Sequence, residues 1–183
     1  MKKLALSLLI LLLPNASSAE MVKSFTLDCK GICLHWWPKL PPIKGWHQDV
    51  DVSYHDNINV LVPDGHKFAD ADAVMYANAI YKSRVPEDKT LDHFIEGDKE
   101  KFLSDHPKME IMELGRLTTG DGKSLRSLSF VLKDEGWERV SYGEEGDFYL
   151  VFTLSSRSQK GYDETMGTYE KLVESYREKN SVH

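Results

Sequence analysis

The stretch at residues 108–177 constrains the fold of this chain more than any other part of the sequence. Within it, residues 148–154 are apolar at almost every position, which is typical of a strand buried on both faces. The segment that follows repeats apolar and aromatic residues at helical spacing, which indicates a helix with one buried face. That stripe consists of Tyr162, Met166, Tyr169, Leu172, Val173 and Tyr176. A central strand followed directly by a covering helix predicts the core of the domain.

Three earlier strands are expected to complete a four-stranded antiparallel meander with the central strand. The first two flank Gly120-Asp121-Gly122, and Asp-Gly between two strand-like runs is a strong hairpin signal. A second turn is expected at residues 134–136 and a third at residues 143–147. The expected elements are strands at 109–118, 124–133, 137–142 and 148–154, and a helix at about 160–179.

Residues 46–107 predict a further group of elements on the N-terminal side of the meander. The expected elements are two strands within 46–63, a strand at 73–84 and a helix at 91–104. Thr90 is the expected N-cap of that helix, and Pro107 ends it because the residue before a proline is disfavoured in helical geometry. The predicted class is therefore α+β, with an antiparallel sheet of about six to seven strands flanked by helices. This single domain would span residues 46–179, with a tail at 180–183.

The first 19 residues have the pattern of a cleaved signal peptide. Lys2 and Lys3 precede an apolar run at residues 4–13, and small residues end the segment at Ala19. The apolar run is too short to cross a bilayer, which takes roughly 20 residues. Export to the periplasm or the exterior is therefore expected, with no stable membrane insertion after cleavage.

The net negative charge of the chain argues against nucleic acids and anionic membrane surfaces as partners. The formal net charge is −6, and removal of Lys2 and Lys3 with the signal segment makes it −8. Nucleic acids and anionic membrane surfaces require clusters of Lys and Arg, which the chain lacks. We therefore expect no nucleic-acid partner, and an envelope protein is the kind of partner that export would offer.

Residues 20–45 form a predicted N-terminal extension that contains both cysteines, Cys29 and Cys33. In an oxidising compartment such a close pair favours a disulfide, placed across a small hairpin at residues 24–34. Two alternatives stay open. The pair could bind a metal such as copper together with His35, since thiolates and imidazole suit soft ions, or it could be redox-active.

A polar stripe along the first predicted strand of residues 46–63 is the second candidate metal site. If residues 47–55 are extended, alternate side chains share one face of the strand. That face would carry His47, Asp49, Asp51, Ser53 and His55. Imidazoles and carboxylates are metal ligands, although such a stripe is also what a solvated outer face looks like.

Three tryptophans near the extension are the candidate partner contact. Trp36, Trp37 and Trp46 lie among prolines, in an extended segment expected on the domain surface. Indole rings are frequent at binding hot spots, because each offers a large contact area and one polar group. The alternative is that the rings pack back onto the domain and hold the extension in place.

The predicted order of elements over residues 46–179 resembles the PsbP-like fold. A hairpin at 49–62, a strand, a helix, a four-stranded meander and a closing amphipathic helix follow in that order, and Val60-Leu61-Val62-Pro63-Asp64-Gly65 is similar to the family's early strand. The resemblance implies an α/β/α sandwich. It also implies a non-enzymatic binding or assembly protein, because the family includes extrinsic photosystem subunits and exported bacterial proteins. It assigns no catalytic residues.

The expected function is that of an exported, non-enzymatic binding or accessory protein that assembles or stabilises an envelope component. No nucleophile motif is present in the sequence, and no cofactor is expected. Two alternatives remain: a metal-binding or metal-delivery protein that uses the residues named above, and a small hydrolase of unrecognised type.

Overall fold

The computed structural model describes residues 21–26, 33–133 and 135–177. Over these residues the fold is α+β, as predicted, with nine strands in one antiparallel sheet and three α-helices. The strands are β1 (Met21–Thr26), β2 (Cys33–Pro38), β3 (Trp46–Gln48), β4 (Asn59–Pro63), β5 (Ala73–Tyr81), β6 (Glu110–Thr118), β7 (Ser124–Leu132), β8 (Gly136–Glu145) and β9 (Phe148–Ser156). The helices are α1 (Val50–Asp56), α2 (Leu91–Asp105) and α3 (Gln159–Ser175).

Strand β9 lies at the centre of the sheet, as its apolar sequence predicts. The strand order is β1-β2-β5-β9-β8-β7-β6, so β9 is paired along its length with β5 on one side and β8 on the other. The outer edge of β5 is shared by two neighbours: β2 pairs at Ala79, and β4 pairs over residues 75–77. Strand β3 extends the sheet beyond β4.

The two faces of the sheet are covered by different helices. Helix α3 covers one face, where Tyr169, Leu172 and Val173 are fully buried against β5 and β9. Helix α2 covers part of the opposite face, where Phe94 stacks on Tyr149 with ring centroids 4.6 Å apart. The rest of that face lies under α1 and the segment after β4. Two apolar clusters therefore share the α2 face, and the space between them positions the site described below.

The meander, the hairpin at Gly120-Asp121-Gly122 and the helix that starts after Thr90 are confirmed. Gly122 has φ +87°, a conformation that glycine adopts without strain, and the Thr90 side chain accepts a hydrogen bond from the His93 amide at 3.2 Å. The strand predicted at 73–84 is also confirmed, and it ends at Tyr81. Hairpin pairing of β1 with β2 is confirmed for the strands, whereas the residues between them lie outside the described part.

The extended segment around Trp36 and Trp37 differs from its prediction. It is extended, but it is strand β2 of the main sheet and not a surface segment: Trp37 is only 1% exposed. The prolines at 41 and 42 follow the strand and so leave its pairing intact. With β1 and β2 added, the nine-stranded sheet is larger than the six to seven strands expected.

The long strand predicted at residues 46–55 is wrong. Strand β3 ends at Gln48, and the chain then turns into α1. The Asp49 side chain caps this helix by accepting the Val52 amide, and Asn57 ends it in the left-handed conformation at φ 58°. A seven-residue helix spans only two turns, which is too short for helical periodicity to stand out from alternation.

In the part of the chain that the structure describes, no helix combines the length and apolar character that crossing a bilayer requires.

Candidate functional site: a cavity on the α2 face

A cavity of about 300 Å³ lies on the α2 face, between the C-terminal end of α2 and the segment at residues 68–72. Its floor is formed by β5, β7, β8 and β9, at the end of the sheet where β9 finishes. Alternation along the strands places Val74, Phe130, Glu138 and Ser155 on this one face. The cavity therefore occupies the space between the two apolar clusters of the α2 face.

Apolar walls of the cavity come from three separate parts of the chain. Phe102 lies near the end of α2, Phe130 on β7 and Phe68 in the segment after β4. The Phe102 and Phe130 rings are in contact, with centroids 4.5 Å apart. Helix α2 ends at Asp105, just before His106-Pro107. It therefore does not extend over the end of the sheet where β9 finishes, and the cavity is open at that end.

Glu138 is the ionisable group on the cavity floor. It pairs directly across the sheet with Ser155, whose hydroxyl donates to Glu138 Oε1 at 2.7 Å. The second oxygen, Oε2, is shielded from solvent and has no hydrogen-bond partner among the described residues. Burial raises the pKa of Glu138, the hydrogen bond from Ser155 opposes this rise, and the nearby Asp98 adds to it. The carboxyl group is therefore held in a site that disfavours its negative charge.

A second partly buried carboxyl group, that of Asp98, lies on α2 where the helix faces the sheet. Tyr142 on β8 donates its hydroxyl to Asp98 Oδ2 on α2 at 2.6 Å, which ties the helix to the sheet. Burial raises the pKa of Asp98, and the hydrogen bond from Tyr142 partly offsets it. Burial and the charge of Glu138 also raise the pKa of Tyr76 on β5. Glu138 and Asp98 thus belong to one polar strip within an otherwise apolar face.

The rim of the cavity is fixed by hydrogen bonds from the end of β9. Arg157 donates to the backbone carbonyls of Ala69 at 2.8 Å and Phe68 at 3.1 Å, which holds the 68–72 segment over the sheet. Asp72 accepts the Ser158 hydroxyl at 2.6 Å, and Ser158 in turn caps α3 through the Gly161 amide. The rim is therefore continuous with the N-terminal end of α3.

The cavity lining contains the residue types of a hydrolase, but their hydrogen bonds are those of a structural network. Ser155 donates to Glu138, and Ser156 donates to the Asp72 carbonyl at 3.1 Å. His106 is exposed, and no hydrogen bond joins it to either serine within the described residues. An activated serine requires a hydrogen bond to its base, whereas the Ser155 and Ser156 hydroxyls donate to Glu138 and to the Asp72 carbonyl.

The candidate metal stripe is not brought together, because its strand ends at Gln48 and the remaining residues turn into α1. His47 lies on β3 and its Nδ1 is 3.3 Å from Asp64, whereas His55 lies at the end of α1 with Nδ1 2.6 Å from Asp56. Asp49 is engaged as the helix cap, and Asp51 lies in the first turn of α1. Among the described residues, no group of three or more His, Cys, Asp or Glu side chains is placed to hold a metal ion.

Cys29 lies outside the described residues, and the side chain of Cys33 is likewise not described. The predicted disulfide between them stays a prediction, as do the metal and redox alternatives. The third member of that alternative, His35, lies on β2, where burial and the charge of Arg84 lower its pKa. The lowered pKa favours neutral imidazole.

The three candidate contact tryptophans are packed against the domain. Trp37 is buried and meets Tyr54 edge to face at 5.4 Å. Trp36, on the opposite face of β2, contacts Phe148 at 5.5 Å and lies under the Arg84 guanidinium at 5.1 Å. Trp46 is partly buried against the α3-side core. These contacts favour the packing interpretation over a free contact surface.

Glu138 was not among the residues singled out from the sequence, although a signal for it exists. On β8 it alternates in phase with Val140 and Tyr142, both of which are buried. An acid in the apolar phase of a strand is uncommon unless the carboxyl group has a role or a partner. What the pattern could not supply is the cavity above it, whose walls come from distant segments.

Comparison with known proteins adds no family. No protein-family model matches the chain, and a search of curated proteins also finds no match.

Proposed function

We propose that the protein is an exported, non-enzymatic binding or accessory protein of the PsbP-like kind, and that the cavity on the α2 face is its ligand site. The observation that carries the proposal is the cavity itself, with apolar walls, a single buried carboxyl group on its floor and a fixed rim. Binding sites for small molecules are typically concave, mostly apolar and supplied with a few placed polar groups.

Export is supported by the N-terminal sequence, which has the basic start, apolar run and small residues of a signal peptide. The periplasm is the compartment that we propose. Fractionation of cells that express the full gene tests this part: the shortened chain is expected in the periplasmic fraction, and recovery of the uncut chain in the cytoplasm would refute it.

An accessory role is supported by the resemblance of the element order to the PsbP-like fold, together with the sheet that lies between helices on both faces. Function does not follow from fold alone, so the test must detect the partner itself. Pull-down of the tagged protein from an envelope extract is expected to recover at least one envelope protein reproducibly, and native mass spectrometry is expected to reveal a bound small molecule. Repeated recovery of the bait alone, without added mass, would count against the proposal.

A further inference from the structure

The side chains that line the cavity indicate the class of ligand. We propose that the cavity binds a small organic cation with an aromatic or similarly compact apolar body, and that the ammonium group of this ligand pairs with Glu138. The inference rests on the proposed binding function and adds the chemistry of the ligand.

The apolar part of the ligand would lie among phenylalanines. Phe68, Phe102 and Phe130 approach the cavity from three sides, and a volume of about 300 Å³ suits a compact molecule and excludes a long chain. Aromatic rings also attract cations through their π faces, so this lining is compatible with the charge as well as with the body of the proposed ligand.

Charge around the cavity favours a cation over an anion. Three carboxyl groups line it, those of Asp72, Glu135 and Glu138, against the single guanidinium of Arg157. That guanidinium donates to the carbonyls of Phe68 and Ala69, which holds it against the rim. A ligand carboxylate would therefore meet mainly like charge.

Glu138 supplies the specific contact. Its Oε1 accepts one hydrogen bond from Ser155, while Oε2 is buried without a donor among the described residues. A buried polar group without a partner costs free energy, and an ammonium group can donate up to three hydrogen bonds. A small rotation of the carboxyl group toward the cavity would let a bound ammonium satisfy this oxygen, and the positive charge would offset the burial that disfavours the carboxylate.

Three probes of matched shape test the inference: 2-phenylethylammonium, 2-phenylethanol and 3-phenylpropionate. Each is titrated into the ¹⁵N-labelled protein, purified after expression of its full gene, while amide chemical shifts are recorded. We expect the ammonium probe to shift amides of the cavity lining saturably. The alcohol is expected to bind roughly tenfold more weakly, since a hydrogen bond between charged groups exceeds a neutral one by about 1.4 kcal/mol, and the carboxylate is expected not to bind.

Two variants test whether Glu138 is responsible for the preference for the ammonium probe. Glu138→Gln keeps an acceptor for Ser155 but removes the charge, and is expected to weaken the ammonium probe by about tenfold while leaving the alcohol unchanged. Glu174→Gln, at an exposed position of α3 on the opposite face of the sheet, is the matched control and is expected to leave both affinities unchanged. Thermal melting of each variant verifies that it is folded.

The outcomes separate this inference from the proposed function. If the alcohol binds in the cavity as tightly as the ammonium, or if Glu138→Gln leaves the ammonium affinity intact in a folded protein, the cation inference is overturned while ligand binding by the cavity stands. If none of the three probes shifts the cavity amides, the inference is also overturned. The pull-down and native mass measurement then decide the accessory role independently.

Discussion

At the scale of single residues, the interior of the α2 face is shaped by two carboxyl groups. Asp98 and Glu138 both have a raised pKa because they are buried, and each accepts one hydroxyl: Tyr142 for Asp98 and Ser155 for Glu138. A carboxyl group whose pKa is higher in the folded than in the unfolded chain binds its proton more tightly when folded. Its contribution to stability is therefore fully present at acidic pH and is lost as pH rises through the folded pKa.

The variant Asp98→Asn tests the direction in which stability changes with pH. The amide oxygen can still accept the Tyr142 hydroxyl, but the variant has no charge to bury. We expect its stability relative to the parent to rise as pH increases above about 4, the pKa of an unfolded aspartate, because only the parent must ionise a carboxyl group at position 98. Urea unfolding at several pH values measures this difference. Asp105→Asn, at an exposed position of the same helix, is the control, and a relative stability of Asp98→Asn that is flat or falls with pH would contradict the prediction.

At the scale of elements, helix α3 joins the sheet at a tight contact. A Cβ atom on Gly161 would lie 2.3 Å from Asp72 Oδ2 and 2.7 Å from Ser156 Oγ, so only glycine fits beneath the segment that forms the cavity rim. Gly167 lies on the same helix with nothing within 4 Å of its would-be Cβ. One helix thus contains a glycine required by packing and a glycine that packing does not require.

The two glycines predict opposite responses to alanine. Gly161→Ala should destabilise the protein by about 1–3 kcal/mol, because the added methyl group would displace the Asp72 carboxylate and break its hydrogen bond with Ser158. Gly167→Ala should stabilise it by about 0.5–1 kcal/mol, because alanine restricts the unfolded chain and favours the helix. Chemical denaturation of both variants against the parent measures each change. Equal effects at the two positions would show that the contact at Gly161 is not as close as described.

Strand β2 is the element that holds the N-terminal region to the domain. Trp37→Ala should cost about 3–5 kcal/mol, as expected for removing a fully buried tryptophan, and should lower the melting temperature accordingly. Loss of binding to a partner recovered in the pull-down, at an unchanged melting temperature, would instead indicate a contact surface. Tyr54→Ala removes the exposed ring that Trp37 meets and should cost much less.

At the scale of the whole molecule, one sheet connects the N-terminal strands with the meander. Strand β2 pairs with β5, and the Asn59 side chain donates to the Pro38 carbonyl at 2.9 Å. We therefore expect a single cooperative unfolding transition. In each of two variants with one tryptophan, Trp37 or Trp137, and phenylalanine at the other three positions, the fluorescence midpoint should equal the circular-dichroism midpoint of the same variant. An earlier midpoint at Trp37 would show that the N-terminal strands unfold on their own.

The sequence by itself determined the parts of the fold that depend on local signals. Alternation along β5, the helical stripe of α3, the Thr90 cap and the Asp-Gly turn each act within a few residues, and all of them appear where predicted. Local signals failed where two structures fit the same short pattern. Residues 49–56 alternate like a strand, yet the Asp49 cap and the packing of α1 on β4 make them a helix.

Only the tertiary structure decided the site. Glu138 shows in the sequence as an acid among apolar neighbours, but the cavity above it exists because α2 ends at Asp105 and because Arg157 holds the 68–72 segment on the opposite side. These parts are separated by tens of residues along the chain and are brought together by strand pairing. A cavity is the space that packing leaves unfilled, and that space depends on long-range geometry that no local pattern contains.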